Sequence, residues 1–416
     1  MSALAAMSLS QTAIAAVDDT DVDNAAGTTI TGTGYGVKLD AGGPYTIDNA
    51  GEISAEQNTF SYGIFVLPPI TVTSINNTPT GVIKGNATTG DNGRGIFASG
   101  GSIGTLINAG LISGIADSDS GTGLYITKST ITTLTNTGTI SGSARVMGVG
   151  LRLKTASIIT LTNNGLITGS VGGYDAFGIH MDESSINTLT NAGTISGLAT
   201  DGDDAESGAG IYLEESTITT LNNSGLIHFI SDGYDNDNSA AIHLDNTSSI
   251  NTLINSGTIS AVQGDDDDYT LAGIYLDSKS FINNLTNTGL ISAAGSGDSN
   301  YAIFINDTSS IGTITNSGTI SASSDEGDLT AFGFLILDKS SVGTLTNSGT
   351  ISASADHDAV GIHLDLTSSI GTLTNSGTIT TSAGVDDAYG IHLDTKSSVG
   401  TLTNSGTITT SAGEDD

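Results

Sequence analysis

Apolar positions in this chain alternate with polar ones in short bursts, and the bursts return in phase along most of its length. The stretch Ala388–Asp415 holds three of them. In YGIHLD, Ile391 and Leu393 share one side and His392 takes the other. In VGTLTN, Leu402 points inward between Thr401 and Thr403, with Val399 packing at the turn before it, and in TITT Ile408 sits between Thr407 and Thr409. Period-two alternation over runs this short predicts half-buried strands and not helices. Junctions rich in Gly and Asn supply the bends between them.

The phrase SIGTLTNSGTI at Ser369–Ile379 returns as SVGTLTNSGTI at Ser341–Ile351 and Ser398–Ile408, and looser copies run back to TIDNAGEI at Thr46–Ile53. Its best marker is the Gly two positions after Asn, which occurs twelve times from Gly51 to Gly406, with Gly81 marking a thirteenth, distorted copy that carries an insertion (INNTPTG); the steps between markers are 27 to 32 residues. A period of this size indicates a solenoid. Three strands and three bends per unit make one coil of an all-β, parallel β-helix (β-solenoid) with about 13 coils. At roughly 4.8 Å per coil the rod is on the order of 60 Å long. Stacking then predicts interior rows such as Leu345, Leu373, Leu402 and Ile351, Ile379, Ile408. The residue before each x-Gly bend is Asn136, Asn163, Asn191, Asn223, Asn255, Asn287, Asn316, Asn347, Asn375 and Asn404. Side-chain amides in such a row can hydrogen-bond from coil to coil, so they are expected to form a structural ladder.

Residues 1–20 resemble the apolar part and cleavage region of a secretory signal, with Ala13-Ile14-Ala15 as a small-x-small site, although no Lys or Arg precedes them; a disordered leader is the alternative. Residues 21–100 hold all four prolines and an interruption at Leu67–Asn77, which predicts irregular first coils and a cap. Residues 101–416 are the regular array, expected to continue beyond Asp416 because the preceding TITTSAG unit leads into another GIHL strand.

Charge changes the picture at the corners. Acidic residues outnumber basic ones 44 to 10, a formal charge of -34, which excludes nucleic acid as an expected partner. Absence of cysteine excludes a disulfide scaffold and thiol chemistry. Much of the acid gathers between the TIS and GIHL strands, including Asp201, Asp203, Asp204, Asp235, Asp237, Asp265, Asp266, Asp267, Asp268, Asp325 and Asp328. Such oxygen-rich clusters suit calcium, but no calcium-hand or β-roll signature accompanies them, so a solvated acidic face is the alternative. A second acidic row, from Asp182 and Glu214 to Asp394, stacks like charges one coil apart.

The outward position of the GIHL strand is Tyr125, Arg152, His180, Tyr212, His243, Tyr275, Phe304, Leu335, His363 and His392. Its aromatic members are the candidate surface for a glycan or protein partner, while protection of the sheet is the plainer use of large side chains. His363 and His392 fall one coil apart, close enough in principle for a metal bridge. Paired T-x-T positions such as Thr372/Thr374 resemble the flat faces of ice-binding solenoids, though threonine also simply favours strand surfaces. The carboxylates repeat without a distinguished pair and Arg occurs only at Arg94, Arg145 and Arg152, so no enzyme is expected.

The SIGTLTNSGTI units resemble the passenger regions of bacterial autotransporters, the β-helical stalks of outer-membrane-anchored surface proteins. The resemblance implies secretion, exposure on a Gram-negative cell surface and a membrane anchor outside this chain. It implies a noncatalytic stalk or adhesin segment; the alternative is a self-associating surface-layer or filament component, with calcium as a possible cofactor.

Overall fold

The computed structural model describes residues 22–57, 59–199, 207–231, 239–264, 270–296, 299–324 and 330–413, with the short strands Ser10–Thr12 and Ala15–Ala16. Each coil contributes one strand to each of three parallel sheets. In one coil these are Thr350–Ala355, Ala359–Leu364 and Ser369–Asn375. The sheets, here A, B and C in that order, contain 15, 14 and 14 strands, and every strand pairs with its equivalents in adjacent coils. This is an all-β parallel β-helix with three strands per coil, and the described residues include no helix.

The core is a set of files running along the axis. Ile351 pairs with Ile379 and Ile379 with Ile408 in sheet A; Ile362 with Ile391 in sheet B; Leu345 with Leu373 and Leu373 with Leu402 in sheet C. Inward Ile and Leu side chains are fully buried through most of the rod. One coil alone has no second layer to bury them, so stability comes from stacking.

The segment Leu67–Asn77, expected to interrupt the pattern, includes a sheet C strand, Thr71–Asn77, whose pairing with the preceding sheet C strand slips by one residue between Tyr45 and Thr46. Val72 and Ile75 align with Ile103 and Leu106, so the inward phase is kept while the prolines fall in the connection before it.

Two bends explain recurrent residues. At the C-to-A bend the carbonyl of Asn347 accepts both Ser376 N–H (2.8 Å) and Gly377 N–H (3.1 Å) from the next coil. A Cβ at Gly377 would lie 2.1 Å from the Gly349 carbonyl oxygen, so close backbone approach requires glycine there. At the B-to-C turn the later coils place two consecutive non-glycine residues at positive φ, for example Asn246 (50°) and Thr247 (64°). Ser248 N–H donates to the Asp245 carbonyl at 3.2 Å, closing a tight turn of the I′ kind.

Candidate functional site: a groove along sheet B

Sheet B bends at the small residue before the Ile of its GIHL phrase, glycine in most coils and Ala241 or Ala302 in two. Successive coils pair Tyr125 with Arg152, His180, Tyr212, His243, Tyr275, Phe304, Leu335, His363 and His392 in one outward row. A second outward row three residues earlier carries Tyr62, Arg94, Thr122, Val149, Phe177, Tyr301, Phe332 and Tyr389. Along a straight strand, side chains three residues apart stand roughly 10 Å apart. Here Tyr389 and His392 rings are 4.5 Å apart, Tyr301 and Phe304 4.7 Å, and Phe177 and His180 4.8 Å. The strands are therefore concave outward, and the two converging rows fill a groove parallel to the rod axis, with Thr122, Val149 and Phe177 buried in it.

Within the groove the rings stack along the axis. Tyr275 and Phe304 are 4.7 Å apart and only 4° from parallel, and His243 stacks on Tyr275 at 4.6 Å. His180, His243, Tyr275 and Phe304 are buried by this packing, whereas Tyr125, Tyr212, His363 and His392 remain half-buried. Ring faces turned toward neighbours are not available as stacking platforms for a sugar. What the row presents outward is ring edges and polar tips.

Burial governs the ionisable members. The His180 imidazole is held neutral, its pKa lowered to about 3 by burial, with Arg152 adding repulsion; burial lowers His243 to about 4. Both ring nitrogens of His180 lack a hydrogen-bond partner. His363 is lowered by burial and then by His392. These last two rings stack 12° from parallel at 4.8 Å, so their in-plane nitrogen lone pairs do not converge on one metal. Among the described residues no group of three His, Asp or Glu side chains is arranged to hold a metal ion. The acidic residues named above as calcium candidates, Asp201, Asp203, Asp204, Asp235, Asp237, Asp265, Asp266, Asp267, Asp268, Asp325 and Asp328, lie outside the described residues.

The asparagine positions form a continuous buried file. Nδ2 of Asn347 donates to Oδ1 of Asn375 at 2.8 Å and also to the carbonyls of Thr378 (3.1 Å) and Gly349 (3.3 Å). The same bond repeats from Asn136 through Asn163, Asn191, Asn223, Asn255, Asn287 and Asn316, and ends at Asn404. It also extends back through Asn108, Asn77 and Asn49 to Asn24. From Asn24 to Asn375 each Nδ2 is committed to the backbone and to the next asparagine, so these amides are not presented to a ligand.

A serine file at the B-to-C turn went unread in the sequence. Ser184 N–H donates to Ser216 Oγ at 2.9 Å, Ser216 N–H to Ser248 Oγ at 3.0 Å, and Ser248 N–H to Ser280 Oγ at 3.1 Å. Its only signal is a serine before each sheet C strand from Ser185–Asn191 onward, one among many serines. The threonine row through Thr190 is broken at Asn222 and Ile254, so it does not give a uniform array.

The groove differs near its N-terminal end. Arg94 lies 4.3 Å from the centroid of Phe97, 4.5 Å from Tyr125 and 5.2 Å from Tyr62; Arg152 lies 5.3 Å from Tyr125 on that ring's other neighbour. Burial pulls the Arg94 guanidinium below its ordinary pKa, while Tyr62, Tyr125 and Asp119 act in the opposite direction. Comparison with protein-family models, curated proteins and solved structures finds no match for this chain.

Proposed function

We propose that the chain is a noncatalytic segment of an extracellular surface rod, of the kind found in autotransporter passengers, that projects from a Gram-negative cell and contributes to adhesion. The observation that carries this reading is the unbroken asparagine file, which continues from coil to coil alongside three parallel sheets. Such stacking gives reach and stiffness from a simple repeat, and the passenger resemblance of the SIGTLTNSGTI units adds the location. Protease added to intact producing cells is expected to remove the chain from the outer surface. Protection until the cells are lysed would overturn the reading.

A further inference from the structure

The basic residues are not spread evenly. Six of the ten Lys and Arg, but only three acidic residues, lie within residues 84–154, so that segment carries a net +3 inside a chain of -34. Its two groove arginines, Arg94 and Arg152, sit on converging rows on either side of Tyr125. Neither forms a salt bridge with a described carboxylate. Arg94 Nη2 donates to Asn92 Oδ1 at 2.9 Å, and Arg152 Nη1 reaches only the thioether of Met147 at 3.3 Å. The Nε of each is buried without an acceptor. A guanidinium drawn out of water without an anion is costly, and a carboxylate is its natural partner in a bidentate pair.

Access is also local to this end. The connection from sheet A to sheet B beside Arg152 is just Arg145 and Val146, between Ala144 and Met147. Tyr62, Phe97 and Tyr125 are half-buried, in contrast to the covered rings of Tyr275 and Phe304 further along. Resting on the surface-rod reading, we infer that the groove at Arg94 and Arg152 binds an acidic polysaccharide, each guanidinium holding a sugar carboxylate, with the hydroxyls of Tyr62 and Tyr125 contacting the adjoining sugar hydroxyls.

Three features select this ligand. The groove is elongated, so it takes an extended chain along the rod axis. Strands Asn92–Ser99, Ser120–Thr127 and Met147–Lys154 are paired on both edges, so a peptide cannot bind by adding a strand. The ring faces are engaged, with Phe97 stacked on both Phe65 and Tyr125, leaving polar tips to make the contacts. The rest of the rod repels polyanions, so spaced carboxylates suit the site better than a densely charged polymer.

The test is calorimetry of the purified full chain with oligogalacturonate, and with its methyl ester as the uncharged control. Oligogalacturonate is expected to bind and the ester to bind at least tenfold more weakly. Arg94→Gln and Arg152→Gln should each weaken binding of the acid about tenfold or more, with Arg94→Lys recovering only part because it lacks the planar fork. Thermal melts of the same variants identify any that fail to fold, and Tyr125→Phe, which keeps the ring, should still lose affinity. Equal binding of acid and ester, or unchanged affinity in both folded arginine variants, would overturn the inference. So would sedimentation showing that the arginines instead hold a second copy of the chain. These binding results are independent of protease access on intact cells, so either idea can fail alone.

Discussion

An asparagine in the file answers for more bonds than its own. Replacing Asn347 with Leu takes the acceptor from one Asn316 Nδ2–H and the donor from Asn375 Oδ1, both in the buried file, and removes one donor from the carbonyls of Thr378 and Gly349, the latter still accepting Thr378 N–H. Each buried group left unsatisfied costs about 1–3 kcal/mol, so Asn347→Leu is expected to lower the melting temperature by several degrees. An unchanged melt would show that the file is not holding the bend. The buried histidines make a prediction of opposite chemistry. Their folded pKa values, about 3 for His180 and about 4 for His243, lie below the ordinary 6.5. The unfolded chain therefore takes up protons first: stability is fully present above pH 6.5 and is lost as pH falls toward 4. Glu214 and Asp277 act with the other sign, since burial, then neighbouring acids for Glu214, raise their pKa and favour the folded chain as acid is added. Comparing melts at pH 7 and pH 4.5 between the parent and a His180→Phe, His243→Phe variant isolates the histidine contribution. The variant should lose less stability; an equal loss would show that neither imidazole is kept neutral by the fold.

At the scale of the strand, period-two alternation was enough to identify the three segments of each coil and the interior rows, because one side of each strand faces a core common to all coils. The asparagine before x-Gly was legible for the same reason: its chemistry is repeated at a position where the backbone must turn. Alternation did not reveal the groove. The small residue at the Gly position of GIHL, Ala241 and Ala302 in two coils, breaks strict alternation and brings residues three apart together, so Tyr62, Phe177, Tyr301 and Tyr389 form a second outward row that period two assigns to the other side. Nor did it reveal that His243, Tyr275 and Phe304 cover one another's faces, since stacking depends on side-chain rotation as well as register. The prolines before Thr71 mark a change of direction without saying whether the next strand keeps phase, so the alignment of Val72 and Ile75 with Ile103 and Leu106 was not legible from them.

At the scale of the molecule, net charge concealed the local sign. A value of -34 speaks for solubility and against polyanions in general, yet the coils holding Arg94 and Arg152 are positive and place both cations in a partly covered groove. Repetition builds the rod, and a departure from repetition marks the candidate binding site. The central claim, a stacked rod displayed outside the cell, can be tested through the absence of cysteine. Asn187 is exposed on sheet C, and Leu189 two residues later is fully buried. Intact cells carrying Asn187→Cys or Leu189→Cys would be treated with a membrane-impermeant maleimide. The account predicts labelling of Asn187→Cys on intact cells and none of Leu189→Cys until the protein is denatured; labelling of Asn187→Cys only after lysis, or of both cysteines alike on intact cells, would contradict it.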